Sequence, residues 1–280
     1  MMDTIYSILG AVLPLEAYQY SFMKNALLAI LLLTPLLGLL GTMAVNHQMA
    51  FFSDALGHSA LTGIGLGILL GLRSDLVAML IFGVIWAILI CVIKQSGSAS
   101  ADTVISVFSS TSVAAGLLIL ARGGKFAKYS ALLIGDILAV TPGDLLWLLL
   151  ALAVTLVFWA LLYNSLRLTS VDSVLARSRG VKTRLVEIAF VVMVAVAVML
   201  SIRWVGVMLI NALLILPAAA GRNIARSARQ HAAWSVVIAL FSGLAGLTLS
   251  YYLDTSAGAS IVLVSALCYA ISLAARSVRK

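Results

Sequence analysis

FFSDALGHSALTGIGLGILLG, running from Phe51 to Gly71, is long enough as a helix to cross a bilayer. The helix rises about 1.5 Å per residue and the hydrocarbon core is about 30 Å thick. Yet it carries Asp54 and His58, four positions apart near its start. At about 100° per residue these two fall on one face. Gly63, Gly67 and Gly71 follow at four-residue spacing, and by the same rotation they point roughly 160° away from the pair. One face therefore presents a carboxylate and an imidazole, while the other lacks side chains and can pack close against a neighbouring helix. A charged Asp at mid-helix costs about 2.5–3.5 kcal/mol on insertion scales, so an acid retained in such a segment marks a functional centre.

Composition sets the class. The chain has 280 residues, 63% hydrophobic and 10% charged, with a mean hydropathy of +1.15. Soluble domains run near about 25% charged, so this is an all-α polytopic membrane protein, read as one transmembrane domain over 1–280. Eighteen Lys and Arg against ten Asp and Glu give +8, with the excess in short loops. That pattern reads as membrane orientation and not as nucleic-acid binding. Cys91 and Cys268 lie inside apolar runs and read as free packing thiols. The first residues lack a basic start and a small-residue cleavage site, so the first span reads as its own insertion signal.

Ile5, Ile8, Leu9, Val12 and Leu13 recur at helical spacing before Pro14, which gives residues 1–18 the pattern of an interfacial helix. Apolar runs follow at 19–44, 51–71, 76–93, 102–121, 144–163, 185–202, 204–220, 232–253 and 258–275. They predict eight or nine crossings, 204–220 being the shortest. Residues 129–140 are too few to span and read as a re-entrant or half helix. With nine spans, the basic residues of 164–184, of 221–231 and of the C-terminal tail share one side. That side is cytoplasmic and the N-terminus is outside, although Arg122, Lys125 and Lys128 then fall outside against the rule.

Loop 164–184 has structure of its own. Asp172 or Ser173 can cap a short helix and Gly180 can end it, giving either a docking element or a solvated basic linker. Asp54 and His58 suit a divalent transition metal handled in transit, since two ligands are few for tight binding; a structural hydrogen-bonded pair is the other reading. Ser106, Ser109, Ser110, Thr111, Ser112 and Asn211 read as packing hydroxyls and amide. Arg203 and Trp204 read as interfacial anchors, and His47 and His231 as surface histidines. No GxxxxGK[ST], HExxH or GxSxG occurs, so the chain carries no nucleotide site of that type and no catalytic constellation.

The sequence resembles the permeases of the metal-importing ABC transporter family that serves zinc, manganese or iron. The likeness rests on MAFFSDALGHSALTGIGLGILLG, LLIGDILAVTPGDLL, DSVLARSRGV, VGVMLINALLILPAAAGR and YYLDTSAGASIVL, over about Leu15 to Arg276. Where many relatives carry arginines before the signature span, this chain has Asn46, His47 and Gln48. The resemblance implies that Asp54 and His58 are the metal-coordinating pair of the translocation path, with no permanently bound cofactor. It implies a short cytoplasmic coupling helix, through Asp172, Ser173, Leu175, Ala176, Arg177 and Gly180, seated in the cleft of a separate ATPase subunit. It further implies a second permease subunit in a homodimer, an extracytoplasmic metal-binding protein, and a place in the inner (plasma) membrane. Gly63, Gly67 and Gly71 serve helix packing in that picture. A proton-coupled secondary transporter, with Asp54 protonatable, and an importer of metal chelates are the alternatives.

Overall fold

The computed structural model describes residues 16–97, 99–124 and 126–278. The interfacial pattern at residues 1–15 and the side chain of Lys125 lie outside them. Among the described residues every regular element is helical: α1 (Ser21–Asn46), α2 (Phe52–Leu69), α3 (Asp75–Gln95), α4 (Ala101–Arg122), α5 (Phe126–Ile134), α6 (Pro142–Val171), α7 (Ser173–Ser178), α8 (Thr183–Ile224), α9 (Ala228–Tyr252) and α10 (Ala257–Val278). Seven of these are long and apolar enough to cross a membrane: α1, α3, α4, α6, α8, α9 and α10. The signature helix α2 is not among them, because its Asp, His, Ser and Gly residues hold its hydropathy down.

Helix α8 is the element the others pack around, touching α1, α2, α3, α5, α6, α9 and α10. A straight helix of 42 residues would be about 63 Å long, twice a hydrocarbon core. It is not straight. Gly206 has φ 77° and ψ 163°, a conformation essentially restricted to glycine, and the chain reverses there. Along the first arm, Glu187 pairs with Lys94 at the end of α3, and Met199 lies where a Cβ on Gly83 would fall. The first arm thus runs antiparallel to α3. Along the second arm, Leu214 and Ala218 abut Gly41, and Gly221 abuts Ser235, near the opposite ends of α1 and α9 from Tyr18 and Thr248. Both ends of α8 border clefts that share Asn46, so the two arms are antiparallel. The apolar runs at 185–202 and 204–220 are these two arms.

The reversal is held from outside by α5. A Cβ on Gly135 would lie 2.3 Å from the backbone of Val205 and Gly206, and one on Gly206 would lie 2.5 Å from the Cα of Gly135. Only two glycines allow this backbone-to-backbone contact. Residues 129–140 divide accordingly: the end of α5, the left-handed Gly135 (φ 69°), and a single 3-10 turn over Ile137–Ala139 started by the Asp136 side chain. His47 and His231 are not surface residues. His47 stacks on Phe190 at 5.6 Å and is 8% exposed, and His231 is buried with Nε2 2.9 Å from the Ala218 carbonyl. Trp204 is likewise buried, so it packs within the fold rather than anchoring at the interface.

Gly206→Ala should destabilise the protein, because a non-glycine residue in that region costs about 1–3 kcal/mol before the clash with Gly135 is added. The expected outcome is a thermal midpoint several degrees lower for the detergent-purified protein. An unchanged midpoint would contradict a tight reversal at Gly206.

Candidate functional site

Asp54 lies in the first turn of α2, not at its middle. Unpaired backbone N–H groups and the positive end of the helix dipole favour a carboxylate at that position, which reduces the insertion penalty. Its second support is His58, one turn on, with Nε2 3.5 Å from Asp54 Oδ2. The third comes from the far arm of α8: Asn211 Nδ2 donates to Asp54 Oδ1 at 2.9 Å. The sequence alone suggests only packing for Asn211, because a lone amide in a short apolar run gives no sign of its partner 157 residues away.

From Phe52 to Gly65 the helix is buried except at Asp54 and His58. Their side chains are 44% and 29% exposed, a polar opening in an otherwise covered helix. The back of α2 explains this. A Cβ on Gly63 would lie 3.0 Å from Phe82 Cβ, one on Gly67 2.4 Å from Ala78 Cβ, and one on Gly57 2.3 Å from Val207. These glycines let α3 and the second arm close on α2. Gly71 is placed differently: it lies in the turn beyond α2, with φ 70° and open space around it, so its glycine answers a backbone need and not a packing one. Thr62 donates to the Ser112 carbonyl and ties α4 to the same helix. Ser112 is buried, whereas Ser106, Ser110 and Thr111 are exposed and Thr111 bonds back to Val107. No group of three or more His, Cys, Asp or Glu able to hold a metal is present among the described residues. One chain therefore offers two potential ligands in an open face.

A second polar centre closes the Asn46 end of the helices. Lys94 Nζ donates to Glu187 Oε1 at 2.7 Å and Gln95 Nε2 to Glu187 Oε2 at 2.8 Å. Lys94 also reaches the His47 carbonyl at 3.5 Å, in the loop that enters α2. Burial, with Lys94 adding to it, holds the His47 imidazole below its usual range. These groups border a cleft of about 680 Å³ whose other wall includes Ser173 and Arg177 of α7.

Helix α7 is built as its residues dictate. Asp172 Oδ1 accepts from the N–H of Val174 at 2.7 Å and of Leu175 at 3.1 Å, so Asp172 is the cap. Gly180, with φ 79°, ends the helix by donating to the Arg177 carbonyl, and Val181 N bonds back to Ala176. Ala176 is fully buried and Arg177 Nε donates to Thr183 Oγ1 at 3.1 Å, fixing α7 to the start of α8. Val171, Val174 and Leu175 stay exposed.

A bundle with seven helices long and apolar enough to cross a membrane, a small polar opening on α2 and a capped loop helix has the architecture of a multi-pass membrane protein. The sequence pattern of the ABC 3 transport family matches residues 19–276, and the chain belongs to that family. It is 31% identical over 257 residues to the high-affinity zinc uptake system membrane protein ZnuB of Haemophilus influenzae, covering 91% of this chain and 98% of that one. It is 31% identical over 255 residues to the manganese import system permease protein ScaB of Streptococcus parasanguinis, covering 91% and 90%. Among solved structures it resembles PsaBC from Streptococcus pneumoniae in complex with Fab, with TM-score 0.79, 27% identity, and 97% and 95% of the two chains covered.

Glu187→Ala leaves Lys94 without its carboxylate in a mostly buried site, where breaking an ion pair costs about 3 kcal/mol. Chemical or thermal unfolding should show the loss, and Lys94→Met in the same chain should recover part of it. Equal midpoints for Glu187→Ala and wild type would mean that the pair contributes nothing.

Proposed function

We propose that this chain is the membrane-spanning subunit of an ATP-driven importer of a divalent transition metal, zinc or manganese, with Asp54 and His58 as the ligands that touch the ion in transit. The exposed Asp54–His58 pair in a buried, glycine-backed helix carries the reading. Carboxylate and imidazole suit both metals, and relatives named for each align over nine-tenths of the chain. Two ligands from one chain favour passage over storage, and a second copy facing the opening would double them. A homodimer therefore completes the path. Membership in an ABC family runs against the proton-coupled alternative.

The chain makes nine crossings on this reading. They are α1, α2, α3, α4, α6, the two arms of α8, α9 and α10, with α5 as a half helix. Basic side chains orient them. Lys94, Arg167, Arg177, Arg179, Lys182, Arg184, Arg222, Arg226, Arg229 and Arg276 gather at the Asn46 end, against Lys24, Arg73, Arg122, Lys128 and Arg203 at the other. The richer end is cytoplasmic, so the first described residues face outside and α10 ends inside. That arrangement presents α7 to the cytosol, where Val171, Val174 and Leu175 meet the separate ATPase subunit. The outer ends of the helices receive the ion from an extracytoplasmic binding protein. ATP-driven movement of α7 passes through the Arg177–Thr183 contact into α8, which touches both α5 and α2.

Asp54→Ala and His58→Ala should each abolish uptake of the two metals in cells, at wild-type abundance in the membrane. Uptake equal to wild type in either variant would remove that residue from the ligand set. Val174→Asp with Leu175→Asp should prevent co-purification with the ATPase subunit while leaving the permease folded, because both side chains are exposed. Undiminished co-purification would place the contact elsewhere.

A further inference from the structure

The far arm of α8 reaches the Asp54–His58 pair through one side chain. Asn211 Nδ2 donates to Asp54 Oδ1 at 2.9 Å while His58 Nε2 lies 3.5 Å from Oδ2, so Oδ1 carries the close hydrogen bond and its donor is the amide. An amide N–H donates and has no attraction for a cation, so it competes with an incoming divalent ion for Oδ1. The carbonyl oxygen of Asn211 is buried and has no hydrogen-bond partner among the described residues. The amide is thus fixed to this site by its Asp54 bond alone. Five residues before it stands Gly206, where the arm leaves its contact with Gly135. Val207, on the first turn after that break, meets α2 at Gly57, which sets the distance at which Asn211 can reach Asp54.

We propose that Asn211 is a positioning residue that sets when Asp54 is free to bind the transported cation. In the arrangement seen here the amide satisfies the carboxylate and the pair holds a divalent ion weakly. Displacement of the second arm about Gly206 draws the amide off, exposes Oδ1 and strengthens the pair. The same step in reverse releases the ion by replacing it with a hydrogen-bond donor. This inference rests on Asp54 and His58 being the cation's ligands.

The test uses the permease co-purified with its ATPase subunit. Equilibrium dialysis gives its affinity for Mn²⁺ and Zn²⁺, and proteoliposomes give the maximal uptake rate. Asn211→Leu, which keeps most of the side-chain volume, and Asn211→Ala should both bind the ions about tenfold more tightly and transport them more slowly. A hydrogen bond to a charged group is strong enough for an effect of that order. The gain in affinity should vanish when Asp54→Ala is added. Unchanged or weakened binding in both variants, or no measurable binding in any form, overturns the inference, since mere loosening of the fold cannot tighten a site. If Asp54→Ala alone leaves uptake at the wild-type rate, the ligand assignment itself fails. If Asp54→Ala abolishes uptake while both Asn211 variants match wild type, only the role of Asn211 fails.

Discussion

A carboxylate inside a membrane protein must be compensated wherever it sits, and the arrangement around Asp54 follows from that requirement. The first turn of α2 supplies the positive end of the helix dipole, His58 supplies an imidazole, and Asn211 supplies an amide from a segment more than 150 residues away. The first two are local and come with the helix. The third exists only because α8 turns back at Gly206 and lays its second arm against α2. The glycine pair Gly135 and Gly206 is thus connected to the polar opening, although neither residue touches it.

The same economy governs the Asn46 end. Lys94 and Glu187 neutralise each other where α3 ends and α8 begins, and Lys94 reaches the carbonyl of His47 just ahead of α2. Helix α7 is fastened to the start of α8 by Arg177 and buried Ala176. One short helix, one ion pair and one loop therefore lie in sequence between the exposed Val174–Leu175 patch and the entry to the signature helix. Motion at α7 has a continuous route of polar and packed contacts to α2.

What was legible in the sequence was whatever depended on nearest neighbours along the chain. Apolar runs located the helices, Asp172 and Gly180 marked the ends of α7, and the four-residue spacing put Asp54 with His58. The structure keeps all of these and merges the runs at 185–202 and 204–220 into one broken element, because only Gly206 leaves helical geometry between them. Illegible were the contacts between distant segments. Nothing in the sequence joined Asn211 to Asp54 or Lys94 to Glu187. A loop position for His47 and a helix-end position for His231 suggest surface residues, yet the two side chains turn inward onto Phe190 and the Ala218 carbonyl. Gly71 shared a spacing with Gly63 and Gly67, but the helix stops at Leu69, so the stripe ends one step early.

The number of ligands also bears on what kind of site this is. A storage or structural metal site surrounds its ion with three or four protein donors and closes over it. The proposed pair stands in an opening with side chains 44% and 29% exposed, and the side chain hydrogen-bonded to it is a donor amide. On the proposed reading such a site would bind only as tightly as a neighbouring copy and the position of that amide allow. On the proposed reading this suits passage, since an ion held by a complete shell would leave slowly, while a two-ligand face shared between two copies could be assembled and taken apart by a small displacement of one helical arm. In the proposed cycle the break at Gly206 would supply that displacement without requiring any change within α2.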